Sequence, residues 1–474
     1  MASEKEVSAA EPAATGSRVA RVMATLRARI ANRSLMPGAR VPSVRLMAEL
    51  LGVSKSTVVE AYDRLVAEGA LSARRGAGFF VAGHAPPFAL ADVGPSLDRE
   101  LDPLWLTRQS LEAGSDALKP GAGWLPAAWL PDEGVRRALR AVARDAQVDL
   151  ADYGAPRGLP ALRQQLALRL AQHGIEAAAD QLLLTDGGTH ALDLLCRFLL
   201  EPGDTVVVDD PCYFNFQALL RAHRVRLVSV PYTANGPDPE AFARVLAEHR
   251  PRLYVTNSAI HNPTGATLAP AVAHRVLMLA AEHDLLIVED DIFADFEIEP
   301  APRLAAFDGL SRVIAIGSFS KTLSAAVRCG YIATRRDWID PLIDLKLATT
   351  FGNGGLSSAV VHRLLVDGTY RRHLDGLRAR LGDARSETLR QLTAAGLEVP
   401  IRPRAGMFLW AELPEGLDAA VVARHALDEG VVLAPGNVFS VSRNATRYLR
   451  FNASQSNRPA IHAALRRAMA RAAG

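Results

Sequence analysis

Between residues 180 and 320 the chain repeats one pattern: a short apolar run, a polar turn, then a stretch of helical periodicity. The runs are Leu182-Leu183-Leu184, Thr205-Val206-Val207-Val208, Leu227-Val228-Ser229-Val230, Leu253-Tyr254-Val255-Thr256, Leu285-Leu286-Ile287-Val288 and Val313-Ile314-Ala315-Ile316. Strands separated by helices pair in parallel, because the intervening helix carries the chain back to the starting edge. An α/β fold follows, with a mainly parallel sheet and helices on both faces. In such open sheets ligands lie beyond the carboxyl ends of the strands, so polar residues there carry more information than those elsewhere.

The strand ends are chemically unusual. The first run leads into Asp186-Gly187-Gly188-Thr189, a glycine turn opening a helix whose amides, with the Thr189 hydroxyl, suit a phosphate. The next ends in Asp210-Pro211-Cys212-Tyr213. Beyond 253–256 comes His261-Asn262-Pro263-Thr264-Gly265, and beyond 285–288 comes Glu289-Asp290-Asp291-Ile292-Phe293. The last run leads to Ser318-Phe319-Ser320-Lys321, with Arg328-Cys329-Gly330 shortly after. Four of the six strand ends therefore supply, in order, an aromatic ring, an amide, a carboxylate and an amine, identities that core packing does not call for.

Lys321 is one of five lysines among 54 basic residues. A lysine amine can lose its proton and attack a carbonyl, whereas a guanidinium cannot. Its presence in an arginine-rich chain points to Schiff-base chemistry with an aldehyde. No metal-ligand spacing links Cys196, Cys212 and Cys329, and three cysteines cannot all pair, so no metal is expected and a reducing cytosol fits best. No apolar run reaches the length of a membrane span, which leaves no membrane partner expected.

Residues 17–85 differ in kind. They hold eleven Arg/Lys against four Asp/Glu, which suits a polyanion. Helical periodicity from Arg18 to Ile30 stops before Met36-Pro37-Gly38. Ser43 is placed to cap a second helix, Gly52 to turn the chain and Ser54 to cap a third, whose first turn displays Lys55, Ser56 and Thr57. Two strands then flank a basic tip, Arg74-Arg75-Gly76-Ala77-Gly78. Residues 1–16 read as a disordered tail. Residues 86–120 read as a linker with one short helix around Trp105–Leu111.

Through Pro42-Ser43-Val44-Arg45, Val53-Ser54-Lys55-Ser56-Thr57-Val58 and Arg75-Gly76-Ala77-Gly78-Phe79, the head resembles the winged helix-turn-helix domain of the GntR family. That resemblance implies contact with double-stranded operator DNA by Arg45, Ser54, Lys55, Ser56 and Thr57, with Arg75 and Gly76 from the wing. Residues 121–474 resemble the fold-type-I pyridoxal-phosphate aminotransferases, with a small α+β subdomain from about 370 onward. The most specific pieces are the 261–265 and 318–330 segments. The resemblance implies that Lys321 carries the aldimine, Asn262 bonds the ring oxygen, Asp290 pairs with the pyridine nitrogen and Tyr213 stacks on the ring. It gives Gly187, Gly188, Thr189, Ser318 and Arg328 to the phosphate. Tyr153, in Tyr153-Gly154-Ala155-Pro156-Arg157-Gly158, would reach the phosphate of a dimer partner, and Arg450 would grip an effector or substrate carboxylate. One departure stands out: where the family commonly has a tyrosine hydroxyl for the ring oxygen, this chain has Ile292 and Phe293.

The combined layout resembles the MocR family of bacterial transcriptional regulators. The resemblance implies a cytoplasmic, nucleoid-associated homodimer that senses an amine or amino acid, or pyridoxal phosphate itself, through exchange at Lys321. Two alternatives stay open: an active aminotransferase with an accessory DNA-binding head, and a DNA-binding protein whose body only dimerises.

Overall fold

Two units make up the chain, divided between Ser96 and Leu97. The computed structural model describes residues 18–31, 35, 38–74, 78–82, 117–146, 148, 151, 153–352 and 354–473. The expected tail at 1–16, nearly all of the linker with its helix at 105–111, and the wing tip with Arg75 and Gly76 lie outside the described residues.

In the first unit, α1 (Arg18–Ala31), α2 (Val44–Leu51) and α3 (Lys55–Ala67) pack over a hairpin of β1 (Leu71–Arg74) and β2 (Gly78–Val81). The local signals explain each boundary. Ser43 Oγ accepts from Leu46 N–H and Ser54 Oγ from Thr57 N–H, satisfying donors that a helix start leaves orphaned. Gly52 takes φ +60°, which a side chain would resist, and so turns α2 into α3. Val22, Leu26, Met47, Val58, Ala61, Tyr62 and Leu65 form the core. Tyr62 ties it together: its hydroxyl donates to Pro42 O at 2.7 Å, and its ring meets Phe79 of β2 edge-on at 5.0 Å.

The second unit is built on an eight-stranded sheet. Its strands are β3 (Leu182–Thr185), β4 (Thr205–Asp210), β5 (Arg226–Thr233), β6 (Gly236–Pro237), β7 (Leu253–Thr256), β8 (Leu286–Asp290), β9 (Val313–Ser318) and β10 (Gly330–Ala333). The order is β3-β10-β9-β8-β7-β4-β5-β6. From β9 to β5 the pairing is parallel, as the alternation of runs and helices requires. The two ends of the order differ: β10 lies antiparallel between β3 and β9, and the short β6 is antiparallel to β5. Alternate side chains enter opposite cores: Val207, Tyr254, Ile287 and Val313 on one face, Val206, Val208, Val255 and Ile314 on the other. This two-sided burial is why the runs read as continuously apolar.

A three-stranded antiparallel sheet follows, with β11 (Phe408–Glu412) and β12 (Ala434–Pro435) on either side of β13 (Tyr448–Asn452). Helices Ala419–Leu427 and Pro459–Ala473 enclose a separate core around Leu409, Val422, Leu449 and Leu465. The first described residues of the second unit join this sheet, with Leu118 bridging to Val431.

Candidate functional site

The strand ends converge as the topology demands. Asp290 closes β8, Ser318 closes β9 and begins the turn to Lys321, and Arg328 precedes β10, the neighbour of both β9 and β3. β3 delivers Gly187 and Gly188 to the start of helix Gly188–Leu199. Gly187 has φ +101°, and a Cβ there would lie 2.8 Å from Arg328 Nη2; at Gly188 it would lie 3.8 Å from the Ser318 Cβ. These four expected phosphate residues are thus contiguous in a cup, and at Gly187 the positive φ and the nearby Arg328 guanidinium disfavour a side chain, whereas Gly188 has room for one. Arg328 donates to Asp186 O and, at 3.4 Å, to Ser320 Oγ, while Ser318 Oγ caps Ser320 N–H at 3.2 Å. Thr189 stands exposed on the first turn of the helix.

Three ionisable groups lie at the centre. Lys321 Nζ donates to Gly123 O at 2.9 Å. Burial, then the charges of Arg450 and Arg328, push this amine down to about 8, with Asp290 acting the other way. Burial pushes the Asp290 carboxyl up to about 7, although one oxygen accepts from Ile292 N–H at 3.1 Å. Arg450, 2% exposed on β13, donates through Nη1 to Asn262 Oδ1 at 2.9 Å and through Nη2 to Gly121 O at 2.7 Å. Phe408 and Phe439 lie 4.4 and 4.6 Å from its guanidinium carbon. No carboxylate pairs with it among the described residues, its Nε has no hydrogen-bond partner, and burial drives it down to about 9. The aromatic contacts and two amide oxygens hold the cation without neutralising it.

Tyr213 begins helix Phe214–Ala222, its phenol pushed up to about 12 by burial. Phe293 is buried against Phe408 at 5.4 Å, where an apolar ring packs and a hydroxyl would need a partner. Tyr153 is not brought into the cup of its own chain: it is 69% exposed, its ring 4.6 Å from that of Phe351. In the head, Arg45, Lys55 and Ser56 are exposed on α2 and α3, and Arg45 is joined to Glu49 at 3.4 Å. Ser54 and Thr57 also bond to each other, so both serve the cap before any ligand.

Two parts of the site lie beyond the sequence expectations. The carbonyls of Gly121, Ala122, Gly123 and Trp124 accept from Arg450, Asn452 and Lys321, and backbone groups carry no residue signature. Lys346 is fully buried on helix Ile339–Thr350 and donates to Pro156 O at 2.8 Å, holding the segment that carries Tyr153. Burial pushes it down to about 8, with Asp186 opposing. The scarcity of lysine that singled out Lys321 applies equally to Lys346.

A winged helix-turn-helix unit and a fold-type-I aminotransferase unit are therefore joined in one chain. Residues 18–81 match the family described as bacterial regulatory proteins, gntR family, and residues 128–467 match aminotransferase class I and II. An uncharacterized HTH-type transcriptional regulator of Escherichia coli (strain K12), YdcR, is 32% identical over 441 residues, 90% of this chain and 93% of its own. The 2-aminoadipate transaminase of Thermus thermophilus is 30% identical, covering 73% of this chain and 88% of its own. Among solved structures, the α-aminoadipate aminotransferase LysN of Thermus thermophilus, complexed with N-(5'-phosphopyridoxyl)-L-leucine, superposes with a TM-score of 0.69 at 28% identity. It covers 78% of this chain and 94% of its own. The chain belongs to the HTH-type transcriptional regulators of MocR architecture, with a GntR head on an aminotransferase class I and II body.

Proposed function

We propose that the protein is a cytoplasmic regulator whose head binds operator DNA and whose body binds pyridoxal 5'-phosphate at Lys321, responding there to an amine or amino acid. The observation that carries this reading is the set of buried ionisable groups without counterions. Among the described residues, no cationic side chain is bonded to Asp290, which feels Lys321 only through its charge, and no anion is paired with Arg450. A buried charge of this kind is retained where a ligand completes it. A protonated ring nitrogen suits Asp290, a carboxylate suits Arg450, and the glycine-lined cup with Arg328 suits a phosphate.

When bound, the cofactor supplies an aldehyde for a lysine amine and a ring that absorbs electrons. The chain's own residues do the rest. Burial beside Arg450 and Arg328 keeps a fraction of Lys321 unprotonated near neutral pH, which attack on a carbonyl requires. Asp290 would hold a proton on the ring nitrogen, Tyr213 would cover the ring, and Gly187, Gly188, Thr189, Ser318 and Arg328 would hold the phosphate. Asn262, already bonded to Arg450, would contact the ring oxygen and so couple cofactor to carboxylate. Phe293 offers no hydroxyl to that oxygen, which favours binding and exchange over repeated turnover. Tyr153, exposed and on a segment bonded by Lys346, would serve a second copy in a homodimer with two heads.

The test is the visible absorbance of purified protein given pyridoxal phosphate, with Lys321→Ala alongside. Wild type is expected to gain a band that the variant lacks and that an added amine shifts. Identical spectra would remove the covalent site from the account. Sustained keto-acid production from an amino donor would replace the regulator with an enzyme.

A further inference from the structure

Residues 118–124 cross from the small sheet to the cofactor site, and each half is held differently. At the outer half, Leu118 N–H donates to Gly430 O at 3.1 Å and Val432 N–H to Leu118 O at 2.8 Å. Gly121 N–H donates to Val432 O at 3.0 Å, and Asn452 N–H to Pro120 O at 2.7 Å. A Cβ on Gly121 would sit 2.6 Å from Ala434 N, so only glycine allows this approach. At the inner half the carbonyls turn into the site. Gly121 O accepts from Arg450, Gly123 O from Lys321, and Asn452 Nδ2 holds Ala122 O at 2.9 Å and Trp124 O at 2.8 Å. One short main-chain segment thus occupies both cations that the proposed function assigns to cofactor and carboxylate.

We propose that residues 118–124 form a strap that an amino-acid ligand, but not a simple amine, displaces: its carboxylate takes Arg450 from the Gly121 carbonyl. The inference rests on the proposed function. A carboxylate meets a guanidinium through two parallel bonds. On Arg450 the unpartnered Nε and the adjacent Nη2 form such a pair, and Nη2 serves Gly121 O. Nη1 is engaged with Asn262, so the fork that remains shares its Nη2 with the strap. Lys321 works as a second latch in the opposite sense: its amine leaves Gly123 O when joined to the cofactor and returns when an amine takes its place. The Asn452 bonds touch neither cation and remain as the pivot. In the sequence the strap directly follows the segment that leads to the head, so its displacement would report carboxylate occupancy to that segment.

Two reagents separate the latches. Methoxyamine and aminooxyacetate each form a C=N bond to the cofactor carbon as the Lys321 amine leaves, with no change in oxidation state, and differ in that only aminooxyacetate carries a carboxylate. Full-length protein loaded with pyridoxal phosphate is treated with each, and hydrogen exchange of the 118–126 amides is followed beside the absorbance. Exchange is expected to be about fivefold faster with aminooxyacetate, the change that loss of one net hydrogen bond gives. Equal or slower exchange, with both reagents shifting the absorbance, overturns the strap and leaves the cofactor site standing. If neither reagent shifts the absorbance, the cofactor reading itself falls and the strap with it. Gly123→Ala serves as a second variant, since its Cβ would lie 3.6 Å from Arg450 Nη2 and fits without clash. It is expected to reduce the difference between the two reagents, and an undiminished difference counts against the strap.

Discussion

The head and the body place their candidate functional side chains in opposite environments. On α2 and α3, Arg45 and Lys55 are exposed, and the fold beneath them rests on Tyr62, Leu65 and two serine caps that do not depend on them. In the body, Arg450 and Asp290 are buried, and residues far away in sequence help to hold them: Gly121 and Asn262 for Arg450, and Asn257 for the Asp290 main chain, whose carboxyl is also held locally by Ile292 N–H. A surface that reads a polyanion works in water, where each contact adds a modest, salt-sensitive increment. A site that binds a small zwitterion works by leaving charges buried and incomplete, so that the ligand's own charges are worth more there. Substitutions in the head should therefore subtract binding alone, and those in the body should change which ligand fits.

The largest effect expected from that difference is at Arg450. Arg450→Met keeps the packing between Phe408 and Phe439 but removes the fork, and affinity for a carboxylate-bearing amine should fall by roughly 2–5 kcal/mol. Affinity for a simple amine should hardly change; calorimetry of both ligands on loaded protein reads the split, and an equal loss for both would mean that the residue is structural. In the head, Arg45→Ala and Lys55→Ala should each weaken DNA binding by about 1–3 kcal/mol if they read bases, or lower the salt slope by about one if they meet phosphate. The absorbance of the loaded body should stay as in wild type.

A smaller effect concerns pH. The depressed Lys321 amine gains its neutral form as pH rises through about 8, where an ordinary lysine would need more than two further units. Cofactor loading should therefore speed up about tenfold between pH 7 and 9 and then level off, in stopped-flow absorbance. A rate still climbing toward pH 10 would place the amine in an unperturbed setting. The smallest effect is at Ser54. Ser54→Ala removes the cap of α3 and should cost the head about 1 kcal/mol, seen in its own melting transition and not in the body's.

How much was legible in the sequence follows the same division. Ser43, Gly52 and Ser54 act on neighbours within a few residues, so the head's helices could be drawn from local chemistry. The parallel strands were legible because burial on both faces makes their runs uniformly apolar. β10 was not, since Gly330-Tyr331-Ile332-Ala333 is short and its antiparallel insertion depends on partners 147 and 12 residues away in register, Leu184 for Tyr331 and Ser318 for Gly330. Lys321, Asn262 and Asp290 stood out because their side chains are unexpected at strand ends. The strap was invisible for the reverse reason: it contributes carbonyls, which every residue possesses, and only the fold shows where they point. Lys346 carried a signal, its rarity, but lacked the neighbouring motif that made Lys321 conspicuous.

The central claim is that occupation of the buried site alters what the exposed head does. It is tested most directly by titrating loaded full-length protein onto one DNA selected from a random pool, with and without aminooxyacetate, while following absorbance in the same sample. The account predicts a change of at least about fivefold in DNA affinity, or a shifted footprint, that accompanies the absorbance change and is absent in Lys321→Ala. A complete absorbance change with the same affinity and the same footprint would contradict it.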